Sequence, residues 1–486
     1  MPDLITLPSP NIVFIITDQQ RFDTLAAAGF GYMITPNLDR LAREGVLFTS
    51  MYVTAPSCAP SRASLFTGLY PHTTGVFRND ERWTHTWVQQ LADAGYHTVN
   101  VGKMHTSPFE APYGFHERHV IENKDRAHPA LPYFLDNWDK AVWSRGYEKP
   151  SRVTYRRRDD YRTSLGAFVW NLPADLHSDN FVPNLAAHWL DTWRGAAPFF
   201  LQVGFPGPHP PYDPTQDALD LYAGRPVPMP VVDRASIDAE PAPLKRLRQQ
   251  HLDTDHDAVV HLDDATEAQQ RRQREHYYAN VTMIDTQVGN LVDALDRRGV
   301  LADTVIIFTS DHGDCLGDHG HSQKWTMYEE SVHVPAIVWS PGRVAAGRTV
   351  DDLVSLFDLG PTVLELAGLQ PPRCMEARSL LPYLTDAAAD PRRYVFAEHA
   401  NDMILQGTEF MTMIRDTRWK LVHFVDSDEG QLFDLHADPG ELRTLWDDPA
   451  HEAVKRALVD EILKWRIRSD LHTQGWTEAV RATGGL

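Results

Sequence analysis

A cysteine and an arginine stand four residues apart in the stretch from Ser57 to Gly68, which reads Ser-Cys-Ala-Pro-Ser-Arg-Ala-Ser-Leu-Phe-Thr-Gly. Pro60 suits the first turn of a helix and Gly68 suits its end, so the spacing predicts a short helix. Cys58 would then lie at the helix N-terminus, where free backbone N–H groups and the positive end of the helix dipole attract an anion. Arg62 would lie about one turn further on and could point back towards Cys58.

Two other interpretations apply to this motif taken alone. A single cysteine is commonly a small buried apolar residue. A cysteine can also be the thiolate nucleophile of a phosphatase, but the phosphate loop of that class has more residues between its cysteine and arginine than the three between Cys58 and Arg62. The rest of the chain must decide between these interpretations.

Composition restricts the class of protein. The 486 residues exceed one ordinary hydrophobic core and predict roughly two to three domain-sized units. The formal net charge of −20 argues against nucleic acid or an anionic membrane as the main partner, so an anionic substrate would need a local concentration of positive charge. The three cysteines, Cys58, Cys315 and Cys374, form no disulfide framework and fit a reducing compartment.

Neither a leader nor a membrane-spanning segment is expected. Residues 1–4 lack a basic region followed by an apolar run and a cleavage site. The apolar run over 12–16 is too short to cross a bilayer. We therefore expect a soluble, cytoplasmic protein.

Short continuous runs of β-branched and apolar residues predict strands buried on both faces of a sheet. These predicted strands cover residues 11–17, 46–53, 97–101, 199–205, 304–309 and 335–339. Helical patterns lie between them, and this alternation predicts an α/β fold with a large mixed, mostly parallel sheet flanked by helices.

The alternation of predicted strands and helices ends at about residue 390. Shorter predicted strands and a helix over 452–468 indicate a smaller α+β subdomain with an antiparallel sheet. We therefore assign residues 1–390 to the catalytic domain and residues 391–486 to the C-terminal subdomain. Within the first of these, residues 206–265 are rich in proline and acid and are expected to run over the surface.

Polar residues able to bind or catalyse follow five of the predicted strands. In chain order they are Asp18 with Gln19, the Cys58 motif, Lys103 with His105, His209, and Asp311 with His312. Because the carboxyl ends of parallel strands meet at one edge of a sheet, these side chains are predicted to form one site.

Two carboxylates and an imidazole in this set suit a divalent cation. Asp18, Asp311 and His312, with an oxygen on residue 58, would supply four ligands. An unmodified thiol would be a poor ligand for calcium or magnesium, so metal binding and modification of Cys58 would be linked. Taken singly, Asp18 could instead cap a helix, and Asp311 with His312 could form a surface turn.

The Cys58 motif, the residues at the strand ends and the C-terminal run Gln431–Leu435 together resemble the sulfatase family. This is the formylglycine-dependent, type I group of the alkaline phosphatase superfamily, and the resemblance extends from Asp18 to the C-terminal subdomain. It implies an alkaline-phosphatase-like fold and hydrolysis of aryl or alkyl sulfate monoesters to an alcohol and sulfate. It also implies that a maturation enzyme oxidises Cys58 to formylglycine, whose hydrated aldehyde is the nucleophile.

The resemblance implies roles for the matching residues around the cation. Asp18, residue 58, Asp311 and His312 match the metal-binding positions. Asp311 would also accept the proton of the attacking hydroxyl group. Arg62 matches the arginine that orients the formylglycine.

The remaining matches concern the sulfate group. Lys103 and Lys324 match the lysines that hold sulfate oxygens. His105 matches the histidine beside the formylglycine hydroxyl, and His209 matches the one that protonates the leaving oxygen. Without the resemblance, His209 could be a turn histidine between prolines, and Lys324 could be a solvated surface lysine.

Two departures from the common sulfatase pattern bear on the metal and the substrate. Gln19 stands where many sulfatases have a second acid, and His312 stands where many have asparagine. Both changes recur in branches that resemble choline sulfatase and phosphonate monoester hydrolase. They leave one formal positive charge of the cation less neutralised, which could shift its identity towards Mn²⁺. The cation expected is Ca²⁺ or Mn²⁺ rather than Mg²⁺. Lys103 and His105 favour a sulfate ester, since the phosphonate branch is expected to have uncharged residues there.

Other functions stay open at this point. The same site could hydrolyse phosphonate monoesters or phosphodiesters. A non-catalytic binding protein would keep Cys58 unmodified. A thiol-dependent redox enzyme would need an exposed Cys58 with a low pKa, and Cys315 could approach it in space. The aromatic-rich segment 106–178 could accept an aryl group or a quaternary ammonium. The tail after Leu471 could dock on a second copy and form a homo-oligomer.

Overall fold

The computed structural model describes residues 9–83, 85–109, 111–122, 124, 136–385 and 387–482, with backbone alone for 476–482. The N-terminal residues on which the expectation of no leader rests lie outside this range. Among the described helices, none is long and apolar enough to cross a membrane. The cytoplasmic location stays a prediction.

The described strands are named in chain order. They are β1 Asn11–Asp18, β2 Val46–Tyr52, β3 His97–Gly102, β4 Glu117–Val120, β5 Phe199–Pro208, β6 Thr304–Ser310, β7 His333–Trp339, β8 Arg348–Val350, β9 Val354–Ser355, β10 Val395–Ala400, β11 Phe410–Arg415, β12 Trp419–Phe424 and β13 Gly430–Asp434.

The described α-helices are named in the same way. They are α1 Pro36–Glu44, α2 Cys58–Thr67, α3 Pro71–Thr74, α4 Val88–Asp93, α5 Asn137–Ser144, α6 Arg152–Arg156, α7 Tyr161–Ser164, α8 Ser178–Thr192, α9 Gln216–Asp220, α10 Arg234–Ala239, α11 Ala242–Asp253, α12 Glu267–Arg297, α13 Glu329–Val332, α14 Leu359–Leu366, α15 Leu381–Leu384 and α16 Glu452–Ala482.

Nine of the described strands form one sheet, in the order β4-β3-β5-β1-β6-β7-β2-β8, with β9 also paired to β2. Strand β7 is antiparallel to its neighbours β6 and β2, and the other described pairs in this sheet are parallel. The predicted mixed, mostly parallel sheet is confirmed.

Strand β1 shows why continuous apolar runs form the centre of this sheet. Its residues from Ile12 to Ile16 are all fully buried, and alternate side chains enter two different core clusters. Helices α1, α8 and α12 pack in one cluster, whereas α2, α4 and α14 pack in the other. A strand covered on both faces cannot expose polar side chains except at its ends, so the chemistry is confined to the sheet edge.

Four antiparallel strands form a second sheet in the order β10-β11-β12-β13. One face shares the core cluster that contains Phe14 and Phe66 of the main sheet and α2, and Ala397 and Met413 lie on that face. The other face packs against α16, for example through Trp465. The predicted antiparallel sheet is confirmed, while the domain boundary at residue 390 stays a prediction.

The segment 206–265 departs from the expectation that it runs over the surface. Leu244 and Leu247 of α11 are fully buried in the core cluster of the main sheet, and Asp257 further along is also buried. Two leucines three residues apart lie on the same face of a helix, and this apolar face draws the segment onto the body of the protein.

We predict that Gly204→Ala destabilises the fold because β3 and β5 approach each other too closely for a side chain. A Cβ at position 204 would collide with the backbone oxygen of Lys103, whose N–H donates to the Gly204 carbonyl at 2.8 Å. The free energy of unfolding, measured by urea denaturation, should fall by about 1–3 kcal/mol. Gly31→Ala is the control, since a Cβ there meets nothing within 4 Å. Equal stability of the two variants would contradict this account.

Candidate active site

The carboxyl ends of four parallel strands meet at one edge of the main sheet. Asp18 is the last residue of β1, Lys103 follows β3, His209 follows β5 and Asp311 follows β6. The sheet order β3-β5-β1-β6 makes these strands direct neighbours. The structure therefore places these predicted residues side by side, as expected for residues at the carboxyl ends of neighbouring parallel strands.

Helix α2 begins at Cys58 and ends at Thr67, and Gly68 follows in the left-handed conformation with φ 74°. The first turn has a partner that sequence reasoning missed. Asn79 Oδ1 accepts hydrogen bonds from the Ala59 N–H and from the Ser57 hydroxyl, both at 3.1 Å. Asn79 follows no strand, so the pattern that revealed the other residues could not find it.

The Cys58 sulfur is buried among charged and polar groups. Its Sγ lies 3.0 Å from Lys324 Nζ, 3.1 Å from His312 Nε2 and 3.7 Å from Asp18 Oδ1. Burial and the Asp18 charge act to raise the pKa of this thiol, but Lys324, His312 and Lys103 outweigh them and lower it. An ordinary buried thiol has an apolar environment, and Cys58 does not.

Cys315 lies in a different environment. Its sulfur contacts the hydroxyl groups of Thr326 at 3.4 Å and Ser331 at 3.7 Å. Burial raises the pKa of the Cys315 thiol to about 12. An inert thiol of this kind gives no support to a redox pair with Cys58.

One ligand atom from each of Asp18, Cys58, Asp311 and His312 lies within 4.8 Å of the other three. His312 Nδ1 is 2.9 Å from the Gly313 carbonyl, to which it can donate, so the lone pair of Nε2 is directed into the cluster. Two carboxylates and an imidazole fit a divalent cation, and an oxygen on residue 58 would complete the set better than its sulfur.

Two buried cations lie against the carboxylates of this cluster. Arg62 Nε donates to Asp311 Oδ2 at 2.7 Å, and Arg62 Nη2 donates to Asp18 Oδ2 at 3.3 Å. Lys103 Nζ lies 2.6 Å from Asp18 Oδ2. Arg62 was expected to point towards residue 58, and the structure shows its guanidinium bound to the two acids.

The charge balance at Asp18 follows from these contacts. Burial alone would raise its pKa, but Lys103, His209, Arg62 and Lys324 together hold the pKa of this carboxyl well below its ordinary value. Asp18 is therefore ionised at neutral pH and able to bind a cation.

Gln19 replaces a second acid with an amide that connects several elements. Its Nε2 donates to Asp314 Oδ2 at 2.7 Å, and its Oε1 accepts from Lys324 Nζ at 3.0 Å. The Tyr212 hydroxyl donates to the same Asp314 oxygen at 2.7 Å. Asp314 and Tyr212 thus fix the position of Lys324 through Gln19, a function that the sequence did not reveal.

The two predicted catalytic histidines lie beyond β5 and β3. His209 Nδ1 is 2.7 Å from the Pro210 carbonyl, and burial and Lys324 hold the pKa of His209 well below its ordinary value. The backbone N–H of His105 donates to Glu122 Oε1 at 3.2 Å. Burial, opposed by Lys103, raises the pKa of Glu122 to about 7. The catalytic roles of both histidines stay predictions.

Sequence comparison adds evidence to this geometry. The sequence model of the family described as Sulfatase matches residues 10–369. The chain belongs to the sulfatase family. A second family model, described as N-sulphoglucosamine sulphohydrolase, C-terminal, matches residues 317–468 of this sulfatase. The resemblance stated from the motifs is confirmed, and with it the assignment to the sulfuric ester hydrolases.

Known proteins are similar to this sulfatase over nearly its whole length. An arylsulfatase of Clostridium perfringens is 32% identical, with 90% of each chain covered. A choline-sulfatase of Rhizobium meliloti is 31% identical over 92% of this chain and 84% of the relative. Among solved structures, the phosphonate monoester hydrolase of Agrobacterium radiobacter has a TM-score of 0.80 and 28% identity, covering 95% of this chain and 96% of that one.

We predict that Arg62→Met lowers the stability of this sulfatase, because it leaves Asp18 and Asp311 buried with less compensating charge. The free energy of unfolding in metal-free buffer should fall by about 3–5 kcal/mol. Arg156→Met is the control, since it removes an exposed pair with Asp255 and should cost less than about 1 kcal/mol. A similar small loss in both variants would show that Arg62 does not compensate the two acids.

Proposed function

We propose that this sulfatase hydrolyses aryl or alkyl sulfate monoesters to an alcohol and sulfate at the site around residue 58. The observation that carries the proposal is the position of Cys58 at the N-terminus of α2. There it lies within reach of two carboxylates, an imidazole and the Lys324 ammonium group. No simple thiol chemistry requires this combination, whereas transfer of an anionic group requires all of it.

Buried cations supply the binding site for the sulfate group. Lys324 Nζ lies 3.0 Å from Cys58 Sγ, the atom that oxidation to formylglycine would replace with oxygen, and Lys103 Nζ lies 2.6 Å from Asp18 Oδ2. These two ammonium groups would hold sulfate oxygens, and Arg62 would keep the carboxylates in place. Their concentration at one point solves the problem that a net charge of −20 poses for an anionic substrate.

A divalent cation completes the proposed site. Asp18, Asp311, His312 and residue 58 would hold it, and Ca²⁺ or Mn²⁺ fits the donor set better than Mg²⁺. When bound, the cation would neutralise charge on the sulfate and favour ionisation of a hydroxyl group on residue 58. Gln19 contributes no formal charge here because its side chain is a neutral amide, which is hydrogen-bonded to Lys324 and Asp314.

Residue 58 would act after a maturation enzyme has oxidised Cys58 to formylglycine. The hydrated aldehyde supplies two hydroxyl groups, so one can attack sulfur and the other can lose its proton as sulfate departs. Asp311 would accept the first proton and His105 the second. His209 would protonate the bridging oxygen as the S–O bond to the alcohol breaks.

A phosphonate monoester hydrolase is the second candidate. The structure of the enzyme of that name from Agrobacterium radiobacter is similar to this chain at a TM-score of 0.80. Gln19 and His312 match features expected of that branch. Lys103 and His105 favour the sulfate ester, because a charged ammonium group beside Asp18 adds to the anion site.

Modification of Cys58 can be tested by mass. We expect intact protein made with a competent maturation enzyme to be lighter by about 18 Da than the sequence mass, with the loss confined to the peptide containing residue 58. Cys58→Ser should stop after one turnover, because serine has a single oxygen and cannot expel sulfate in the same way. Cys374→Ser should keep both the mass loss and full turnover. Sustained turnover by Cys58→Ser would exclude the formylglycine mechanism.

Substrate preference can be tested by a side-by-side assay. We expect kcat/KM for 4-nitrophenyl sulfate to exceed that for a 4-nitrophenyl phenylphosphonate ester. Lys103→Met should lower kcat/KM for 4-nitrophenyl sulfate about 10²–10³-fold, which is the usual effect of losing one donor that stabilises charge in the transition state. Exposed Lys464, which pairs with Asp460 on α16, provides the matched control Lys464→Met. A preference for the phosphonate ester would support the second candidate instead.

A further inference from the structure

The side chain of Asp257 lies next to His209. The distance from His209 Nε2 to Asp257 Oδ2 is 3.7 Å, and both residues are buried, at 2% and 6% exposure. Asp257 belongs to the connection between α11 and α12, which the sequence assigned to the surface. It is the only carboxylate in the described part of the chain that lies within ion-pair distance of His209.

The backbone at Asp257 is held in an uncommon conformation. Asp257 has φ 51° and Ala258 has φ 61°, two successive left-handed residues without a glycine. Residues other than glycine adopt this region rarely, and such strain persists where the surrounding structure enforces it. Here α11 packs in the core on one side, and Arg152 of α6 forms an ion pair with Asp257 Oδ1 on the other.

The hydrogen bond of the other ring nitrogen settles which atom of His209 carries the transferable proton. Nδ1 donates to the Pro210 carbonyl at 2.7 Å, which limits rotation of the ring. Nε2 is then the ring nitrogen that faces Asp257, and in the proposed function it is the one left to protonate the leaving oxygen. A separation of 3.7 Å is too long for a hydrogen bond, so Asp257 acts on Nε2–H through charge and leaves this proton available.

Several charges surround this imidazole. Burial, Lys324 and Lys103 oppose its protonation and lower the pKa of His209, whereas Asp257 and Asp18 favour the protonated form. Asp18 is already engaged with Lys103 and Arg62. Asp257 also favours the charged form of Lys324, but it is the carboxylate that lies within ion-pair distance of His209.

We propose that Asp257 is the positioning residue of the general acid, and that it directs His209 Nε2–H to the leaving oxygen and stabilises the imidazolium until the proton is transferred. The inference rests on the proposed function, in which His209 is the acid. In the step itself, the S–O bond breaks and its electron pair goes to the alcohol oxygen. That oxygen takes the proton from Nε2, and His209 becomes neutral while Asp257 remains a carboxylate.

The pairing with Arg152 gives this arrangement its stability. Arg152 pairs with Oδ1 of Asp257, the carboxylate oxygen other than the one that lies 3.7 Å from His209 Nε2, and its positive charge favours the ionised form of Asp257.

The test uses a series of aryl sulfates from 4-nitrophenyl to phenyl sulfate, assayed with the mature enzyme. A poor leaving group needs the proton, and a good one does not. For Asp257→Asn we expect kcat/KM to fall about 10–100-fold with phenyl sulfate and less than about threefold with 4-nitrophenyl sulfate. Since the acid must be protonated, we expect activity to decline as pH rises through the pKa of His209, which burial holds well below its ordinary value. Loss of the Asp257 charge should move that decline to lower pH.

Further variants separate this inference from the proposed function. His209→Asn should show the same dependence on the leaving group, and the double variant should lose little more than His209→Asn alone. Asp257→Glu, which restores a carboxylate, should recover part of the activity on phenyl sulfate. Asp255→Asn lies in the same connection but pairs with Arg156 and Tyr161, so it should behave as wild type.

The outcomes are distinct. An equal loss with every leaving group in Asp257→Asn, while His209→Asn shows the steep dependence, would overturn the role of Asp257 and leave the proposed acid intact. An equal loss of activity with every leaving group in His209→Asn would overturn both the role of Asp257 and the assignment of His209 as the general acid. If the wild-type enzyme prefers phosphonate esters, the proposed substrate fails, and the same series made with aryl phenylphosphonates tests Asp257, because the proton transfer is common to both reactions.

Discussion

Two buried carboxylates at adjacent strand ends are the constraint on which this structure depends. Asp18 and Asp311 are both without solvent exposure, and like charges placed so close in a dry environment repel each other strongly. Arg62 binds both, and Lys103 binds Asp18. The docking of α2 on the sheet edge is therefore an electrostatic requirement as well as a matter of apolar packing, and it brings Cys58 to the same point.

Much of the site could be predicted because its residues follow apolar runs directly. Asp18 ends one buried run and Asp311 follows another, and parallel strands bring their carboxyl ends to one edge. The two folded sheets could likewise be predicted, since the strand pattern changes near residue 390. The same reasoning could not show that the Arg62 guanidinium contacts Asp18 and Asp311. The position of a residue on a helix fixes its Cα and Cβ, but it does not fix the rotamer of a long side chain.

The residues that were missed come from segments without periodic pattern. Asn79 lies in a turn after α3, and Asp257 lies in a proline-rich and acidic connection whose composition suggested exposure. Their positions depend on contacts between residues far apart in the chain, such as the packing of Leu244 and Leu247 in the main core. Gln19 was noticed as a departure from a family pattern, but its partners Asp314 and Lys324 lie about 300 residues away and needed the fold.

The shared core of the two sheets has a consequence for how this protein can evolve. Side chains of β10, β11 and β12 lie in the same hydrophobic cluster as those of β1 and α2. If the chain were divided at residue 390, the two sheets would be on different pieces although they share one hydrophobic core. Truncation there would expose a large apolar surface next to α2, the helix that begins at Cys58. The C-terminal strands thus belong to the same hydrophobic core as the main sheet, and we expect insertions or fusions to disturb the fold less at exposed loops than at this junction.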